Sequence, residues 1–147
     1  MPRADGSPSD RGYVWAILTR MADWSKKNFA DIEDRSPADV TMQWRFARKE
    51  LAFEELGVSR FTFEPDTRFP FAHRHREQEE AYVVVAGSGR VKLDDEVMEL
   101  AQWDVLRVPP AVGRQFEAGS KGLELICIGG PRPEGGDGEP VQDFWPD

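Results

Sequence analysis

The fold of this chain is decided by residues 71–89, FAHRHREQEEAYVVVAGSG. His73 and His75 stand two residues apart, which in a β-strand places both side chains on one face. Glu80 follows after four residues and leads into an apolar run, 81–86, typical of a strand covered on both faces. If the two segments form a hairpin, two imidazoles and a carboxylate converge on one point. That donor set suits Fe, Mn, Ni or Zn.

Short apolar segments continue on both sides of this stretch and alternate with turn residues about every eight to twelve positions. This spacing is typical of an all-β sandwich or barrel. The predicted turns include Gly87-Ser88-Gly89 and Asp94-Asp95. The predicted strands cover 58–64, 81–86, 91–93, 97–100, 105–108, 114–118 and 123–128.

A helix is predicted within 38–56, ahead of the strands. Ser36 can cap it, and Pro37 suits its first position. Gly57 follows as a C-terminal stop. The apolar residues at helical spacing are Val40, Trp44, Ala47 and Leu51. Residues 36–57 are therefore interpreted as a short N-terminal helical segment that packs on the barrel.

The barrel itself is assigned to residues 58–130, and what precedes it is a partly disordered extension, 1–35. A short apolar patch at 13–18 has two interpretations. It packs on the barrel or on a partner, or it lies upstream of a natural start at Met21. The sequence does not choose between them.

The residues that follow the barrel, 131–147, are rich in Gly, Pro and acidic residues and are predicted to be mostly irregular. Phe144 and Trp145 are too apolar to be stable in water, so they are expected to anchor this tail on the barrel or on a second subunit. Exposed apolar residues and the edges of a rolled sheet need covering. We therefore expect a homodimer.

The chain is acidic overall, with 27 Asp and Glu against 19 Lys and Arg and a formal net charge of -8. A nucleic-acid backbone requires a basic surface, and no run of Lys and Arg supplies one. Arg45, Arg48 and Lys49 are interleaved with acidic residues and are interpreted as the solvated face of the predicted helix. No nucleic-acid partner is expected.

A single cysteine, Cys127, excludes an intramolecular disulfide and is predicted to be a buried core thiol. The sequence has no apolar stretch of membrane-spanning length and no signal-peptide core near its start. A cytoplasmic location without a membrane partner is the expectation.

The pattern His73-x-His75-x4-Glu80-x6-Gly87 resembles the first conserved motif of the cupin superfamily. Residues 104–114, DVLRVPPAVGR, are similar to the second motif. The resemblance covers roughly residues 58–130. It implies a double-stranded β-helix, a jelly-roll barrel that is often dimeric and holds its ligand inside.

Two departures from the family pattern bear on function. Trp103 stands where the family usually has Gly, and Arg114 stands at the position of the fourth metal ligand, a histidine. Arginine offers no lone pair and cannot ligate a metal. By strand alternation Arg114 faces the interior near Glu80, on the same face as Phe116.

Two accounts of Arg114 remain open. In one, it pairs bidentately with Glu80 and replaces the metal. In the other, His73, His75 and Glu80 bind one divalent transition metal (Fe, Mn, Ni or Zn), and Arg114 clamps an anionic ligand beside it. Tyr82 and Phe116 complete the predicted ligand-binding residues.

The leading hypothesis is a cupin whose pocket binds a small organic anion, as a metal-dependent enzyme such as a dioxygenase or isomerase. The alternative is a non-catalytic, metal-free binding or sensor module. Fold alone does not separate the two.

Overall fold

The computed structural model describes residues 23–147, so the apolar patch at 13–18 and the start at Met21 lie outside the described residues. A three-residue 3-10 helix, Phe29–Asp31, precedes the strands, and no helix in the described part of the chain is long and apolar enough to span a membrane. Eight strands follow: β1 (Met42–Phe46), β2 (Gly57–Phe63), β3 (Ala72–His75), β4 (Glu80–Leu93), β5 (Glu96–Leu100), β6 (Val105–Val108), β7 (Arg114–Gly129) and β8 (Gly138–Val141).

One curled antiparallel sheet contains all eight strands. Its centre is the long pair β4 and β7, which are in register from Glu80 opposite Gly129 to Leu93 opposite Arg114. The first part of β4 also pairs with β6 and its second part with β5. On the other side the order is β1-β2-β7-β3-β8. β4 and β7 are long enough to pair with different strands along their two halves, and the sheet therefore rolls into a barrel. The predicted all-β double-stranded β-helix is confirmed.

The core fills the inside of this barrel, where alternate side chains of β4 and β7 meet. Val84, Val91 and Leu125 are at most 2% exposed, as the period of two along each strand requires. The buried cluster consists of Met42, Phe63, Tyr82, Val84, Val91, Leu100, Val108, Phe116, Ala118, Leu123, Leu125 and Cys127.

The predicted turn at Gly87-Ser88-Gly89 is wrong, because β4 continues through it as a single strand. The register against β7 shifts on both sides of Gly87, which has a φ of 72°. A β-carbon at Gly87 would lie 2.1 Å from the carbonyl oxygen of Gly122, so the glycine permits close approach of two bent strands. The predicted strands at 114–118 and 123–128 likewise join into β7.

The predicted helix within 38–56 is also wrong. The segment contains β1, which pairs antiparallel with β2, and turns follow it. The apolar spacing that predicts a helix is compatible with strand alternation as well, since Met42 and Trp44 share one face. Trp44 stacks on Phe69 with ring centroids 4.9 Å apart. Tertiary packing of the aromatic side chain overrides the local helix signals.

The tail is more ordered than the sequence predicts. β8 pairs with β3, from Ala72 opposite Val141 to His75 opposite Gly138. Further on, the guanidinium carbons of Arg68 and Arg90 lie 4.5 and 5.3 Å from the centre of a Trp145 ring. The sequence predicts that Phe144 and Trp145 attach the tail either to the barrel or to a second subunit. The contacts of Trp145 with Arg68 and Arg90 attach it to the barrel.

Candidate metal centre and ligand cavity

Three side chains meet on the wall of the barrel cavity. β3 presents His73 and His75, and β4 begins with Glu80. Nε2 of His73 lies 3.7 Å from Oε2 of Glu80, and Nε2 of His75 lies 3.3 Å from Oε1. One donor atom from each residue lies within 4.8 Å of the others. Since metal–ligand bonds are about 2.0–2.2 Å long, a single ion could contact all three.

Asp137, which the sequence did not single out, orients His75. Its Oδ1 lies 2.8 Å from Nδ1 of His75, and Oδ2 accepts hydrogen bonds from the backbone N–H groups of Glu77 and Gln78. Burial alone would raise the pKa of Asp137, but these hydrogen bonds hold it at about 2. The ionised carboxylate can only accept, so Nδ1 of His75 carries a proton and donates.

The consequence for His75 is that Nε2 is the nitrogen directed at the candidate metal position. This atom is buried and makes no hydrogen bond within residues 23–147. A carboxylate that holds the far nitrogen of a histidine is the usual outer support of a metal ligand. The buried Nε2, which lies near the carboxylate of Glu80 without a well-aligned hydrogen bond to it, fits a metal ion between the two groups.

Glu80 is held in its ionised form. Burial alone would raise its pKa, but His73, His75 and the hydroxyl of Tyr82, which donates to Oε2, hold the pKa well below its usual range. The pKa of Tyr82 is raised, first by burial and then by Cys127 and Glu80, so its hydroxyl keeps its proton. The site therefore presents a carboxylate with a fixed orientation.

The triad and Tyr82 line a cavity of about 840 Å³. Its lining combines aromatic residues with charged ones. Volumes of about 300–1,000 Å³ accommodate small organic ligands in proteins. The aromatic lining residues are Trp44, Phe46, Phe61, Phe69, Phe71 and Tyr82.

Residues 59–129 match the sequence profile of a family described as the cupin domain. The chain belongs to the cupin superfamily. Over 60 residues it is 32% identical to an uncharacterised protein of Methanocaldococcus jannaschii, a match that covers 40% of this cupin and 48% of that protein. The chain thus spans about half the length of the curated relative it matches.

Solved cupin structures resemble this one. A cupin protein from Bacteroides fragilis is 28% identical, with a TM-score of 0.58, over 69% of this chain and 85% of its own. A sugar phosphate isomerase of the cupin superfamily from Silicibacter pomeroyi is 19% identical, with a TM-score of 0.65, over 74% of this chain and 77% of its own. At that identity the second likeness concerns the fold alone.

Arg114 is where this cupin departs from the family's ligand set. It lies opposite His73 in the sheet and is wholly buried, with Nε 3.9 Å from Oε2 of Glu80 and Nη2 donating to the carbonyl of Pro109 at 3.1 Å. Nε and Nη1 have no hydrogen-bond partner in the described residues. The contact with Glu80 is an ion pair and not the bidentate hydrogen bond that one account predicts.

The predicted ligand-binding residues separate into two groups. Tyr82 reaches the large cavity, whereas Arg114 and Phe116 line a small space of about 30 Å³ behind it. Phe116 packs on Tyr82 with ring centroids 4.6 Å apart. Cys127 is buried and also lines the large cavity, and burial, followed by Glu80, raises the pKa of its thiol well above the usual value. It remains a thiol and not a nucleophile.

Two cations of the cavity were missed. Arg48, interpreted from the sequence as part of a solvated helix face, lines the cavity, and its Nη2 is buried without a hydrogen-bond partner within the described residues. Arg132 lines the same cavity from the tail. Charge interleaving in the sequence does not distinguish a cavity-lining arginine from a solvated one, so no signal pointed to either.

Proposed function

We propose that this cupin is a metal-dependent enzyme that acts on a small organic anion in the barrel cavity. His73, His75 and Glu80 are its metal ligands. The observation that carries the proposal is the buried Nε2 of His75, which lies 3.3 Å from Oε1 of Glu80 without a well-aligned hydrogen bond and is oriented by the hydrogen bond from Nδ1 to Asp137. A histidine whose far nitrogen is held by a carboxylate in this way is a typical metal ligand.

The chain's own residues prepare this site. Asp137 fixes the tautomer of His75, and Tyr82 holds one oxygen of Glu80. A bound transition metal would supply a Lewis acid with open coordination positions, which is the chemistry of metal-dependent dioxygenases and isomerases. The aromatic side chains of the lining lower the local polarity beside the triad, which strengthens charge interactions there.

A second candidate, a metal-free binding or sensor module, is favoured by one observation. The guanidinium of Arg114 lies 3.9 Å from Glu80, and a fixed positive charge there opposes a metal dication. In this alternative the same cavity binds its ligand without a metal.

Metal titration of the purified chain distinguishes the two candidates. We expect one equivalent of Mn, Fe(II), Ni or Zn to bind, and we expect His73→Ala and Glu80→Gln to abolish or greatly weaken binding. Arg107→Gln is the matched control, because Arg107 is 68% exposed and pairs with Glu79 outside the cavity. Failure of all four metals to bind the wild-type chain would support the metal-free alternative.

The homodimer also stays a proposal. Neighbouring residues on one sheet face, Val83, Val105 and Ile126, are paired across β4, β6 and β7, and Val105 is 71% exposed. Trp103, at 68% exposure, precedes β6. Light scattering at micromolar concentration should give twice the mass of the chain, and a monomeric mass would contradict the proposal.

A further inference from the structure

Arg48 and Arg132 line the same cavity, and neither forms an ion pair with a carboxylate of residues 23–147. The guanidinium of Arg48 lies against Gly57, where an added β-carbon would come within 2.8 Å of Nη2. That of Arg132 lies against Gly136, where the corresponding distance to Nη1 is 2.9 Å. Burial and then the charge of Arg132 lower the pKa of Arg48. Within residues 23–147 neither arginine has a carboxylate within 4.0 Å.

The acidic residues of the cavity do not neutralise this pair, because other groups already engage each of them. Lys49 lies on the same lining and adds a further cation. Among residues 23–147, the positive charge at this side of the cavity is therefore uncompensated, in a chain whose net charge is -8. The engaged acids are Glu33 with Arg35, Glu50 with Lys27, Glu139 with Arg74 and Arg76, and Glu80 with Tyr82 and the histidines.

We propose that Arg48 and Arg132 form an anion clamp, which binds the carboxylate or phosphate of an organic ligand. The ligand's other end reaches the triad, so this proposal rests on the proposed function and adds the class of substrate. Guanidinium groups bind both anions through paired, charge-assisted hydrogen bonds. An anion placed here would satisfy the buried Nη2 of Arg48 and remove the repulsion between the two arginines.

A second pair of neighbouring arginines in this chain, Arg68 and Arg90, has a carboxylate between its guanidinium groups. Arg68 and Arg90 share the carboxylate of Glu117, with Nε of Arg68 2.7 Å from Oε2 and Arg90 bonded to Oε1. A carboxylate thus suffices to hold two neighbouring guanidiniums in this fold. At Arg48 and Arg132 we assign that carboxylate or phosphate to the ligand.

The remaining lining specifies the body of the ligand. Aromatic rings line the same cavity as the arginines and the triad, among them Trp44 stacked on Phe69 and Phe71 at right angles to both. Planar apolar groups pack well on such walls. The substrate class is therefore an organic anion with a planar or apolar body.

The test uses phenyl phosphate and benzoate as anionic probes and benzyl alcohol as the neutral comparator. Calorimetric titrations into the full chain are performed in chelator and after zinc loading. We expect saturable binding of at least one anion and much weaker binding of benzyl alcohol. Arg48→Gln and Arg132→Gln should each weaken the anion about tenfold to a hundredfold. The tighter of the two anions identifies phosphate or carboxylate as the recognised group.

Two further variants sharpen the result. Arg107→Gln, outside the cavity, should bind both anions like the wild type, and Gly57→Ala should weaken them because the new methyl group displaces the Arg48 guanidinium. Equal binding by the wild type and both arginine variants would overturn the clamp. So would equal affinity for benzyl alcohol, or no saturable binding of either anion.

Zinc titration separates failure of the clamp from failure of the proposed function. Arg48→Gln and Arg132→Gln should keep wild-type zinc affinity, and His73→Ala should lose zinc while it still binds the anion in chelator. If the arginine variants bind the anions normally but zinc binding is intact, the clamp fails and the proposed metal site stands. If none of Mn, Fe(II), Ni and Zn binds but the arginine variants lose the anion, the clamp stands and the metal site fails.

Discussion

Arg114 and Arg48 both have guanidinium nitrogens that are buried and lack hydrogen-bond partners among the described residues, yet their surroundings are opposite. Arg114 is wholly enclosed beside the carboxylate of Glu80. Arg48 is half-buried on the open cavity, and its charged neighbour is Arg132. Within the described part of the chain, a carboxylate compensates Arg114, whereas no carboxylate pairs with Arg48.

This difference indicates that the charge of Arg114 contributes to the stability of the fold, whereas that of Arg48 is available to bind a ligand. A buried charge with its counter-ion in place is costly to disturb, because the loss of one partner strands the other. A cation held against another cation gains nothing from folding, so its removal should cost little stability. Proteins tolerate such unfavourable arrangements mainly at functional sites.

The largest expected effect comes from Glu80→Gln. It removes the carboxylate beside Arg114, which would keep only the carbonyl of Pro109 as a partner. We expect a loss of about 3–5 kcal/mol in the free energy of unfolding, measured in chelator by urea denaturation. Arg114→Met on the Glu80→Gln background should recover much of the loss, because both charges are then absent.

Arg48→Gln tests the other side of the comparison. It should change the free energy of unfolding by about 0.5 kcal/mol or less. Glu79→Gln controls for the chemical change, since Glu79 is exposed and pairs with Arg107 at the surface. Equal losses for Glu80→Gln and Arg48→Gln, or strict additivity of Glu80→Gln with Arg114→Met, would show that the two arginines do not differ as described.

The central features of the site could be predicted from the sequence because they follow from local rules. A period of two puts His73 and His75 on one face, and the covered strand places Glu80 beside them. The interior position of Arg114 follows from the same alternation. The backbone of Trp103 has a φ of 72°, a conformation that favours glycine. This conformation explains why glycine is usual in the family at this position.

What could not be predicted depends on contacts between distant residues. Asp137 lies 62 residues from His75, in a Gly-rich segment with no periodic pattern. Arg48 lies within a segment whose apolar spacing fits a helix, and only the pairing of β1 with β2 decides against that helix. The continuity of β4 through Gly87 is likewise fixed by its approach to Gly122. Such tertiary contacts override local propensity.

Asp137 supplies the next largest prediction. Asp137→Asn keeps the size of the side chain but removes the charge that holds Nδ1 of His75 and two backbone N–H groups. We expect zinc affinity to fall about tenfold to a hundredfold, which is usual for loss of an outer support of a metal ligand. Anion binding at Arg48 should be unchanged. Asp95→Asn, at an exposed turn, is the matched control. Unchanged zinc affinity in Asp137→Asn would show that His75 does not depend on this carboxylate.

A modest effect that depends on pH concerns Glu117, the carboxylate that Arg68 and Arg90 share. Burial alone would raise its pKa, but the hydrogen bonds from Arg90 and Arg68 lower it in the folded chain. A lowered folded pKa means that the stabilisation is present above the unfolded pKa and disappears as the pH falls through the folded one. Glu117→Gln should therefore cost about 1 kcal/mol or less at pH 7, since the pair is close to the surface.

In acid the difference between wild type and Glu117→Gln should vanish, because Glu117 is then protonated in both the folded and unfolded chains. Urea denaturation of both proteins from pH 7 down to the acid limit of folding measures this. The variant also leaves Arg68 and Arg90 without their shared anion, the condition in which Arg48 and Arg132 are found. Added benzoate should then bind more weakly here than at the cavity, because Trp145 is the one aromatic ring of the described residues that lies on these two arginines, whereas six aromatic residues line the cavity. A pH-independent difference would mean that Glu117 acts through packing and not through charge, and the parallel between the two arginine pairs would fail.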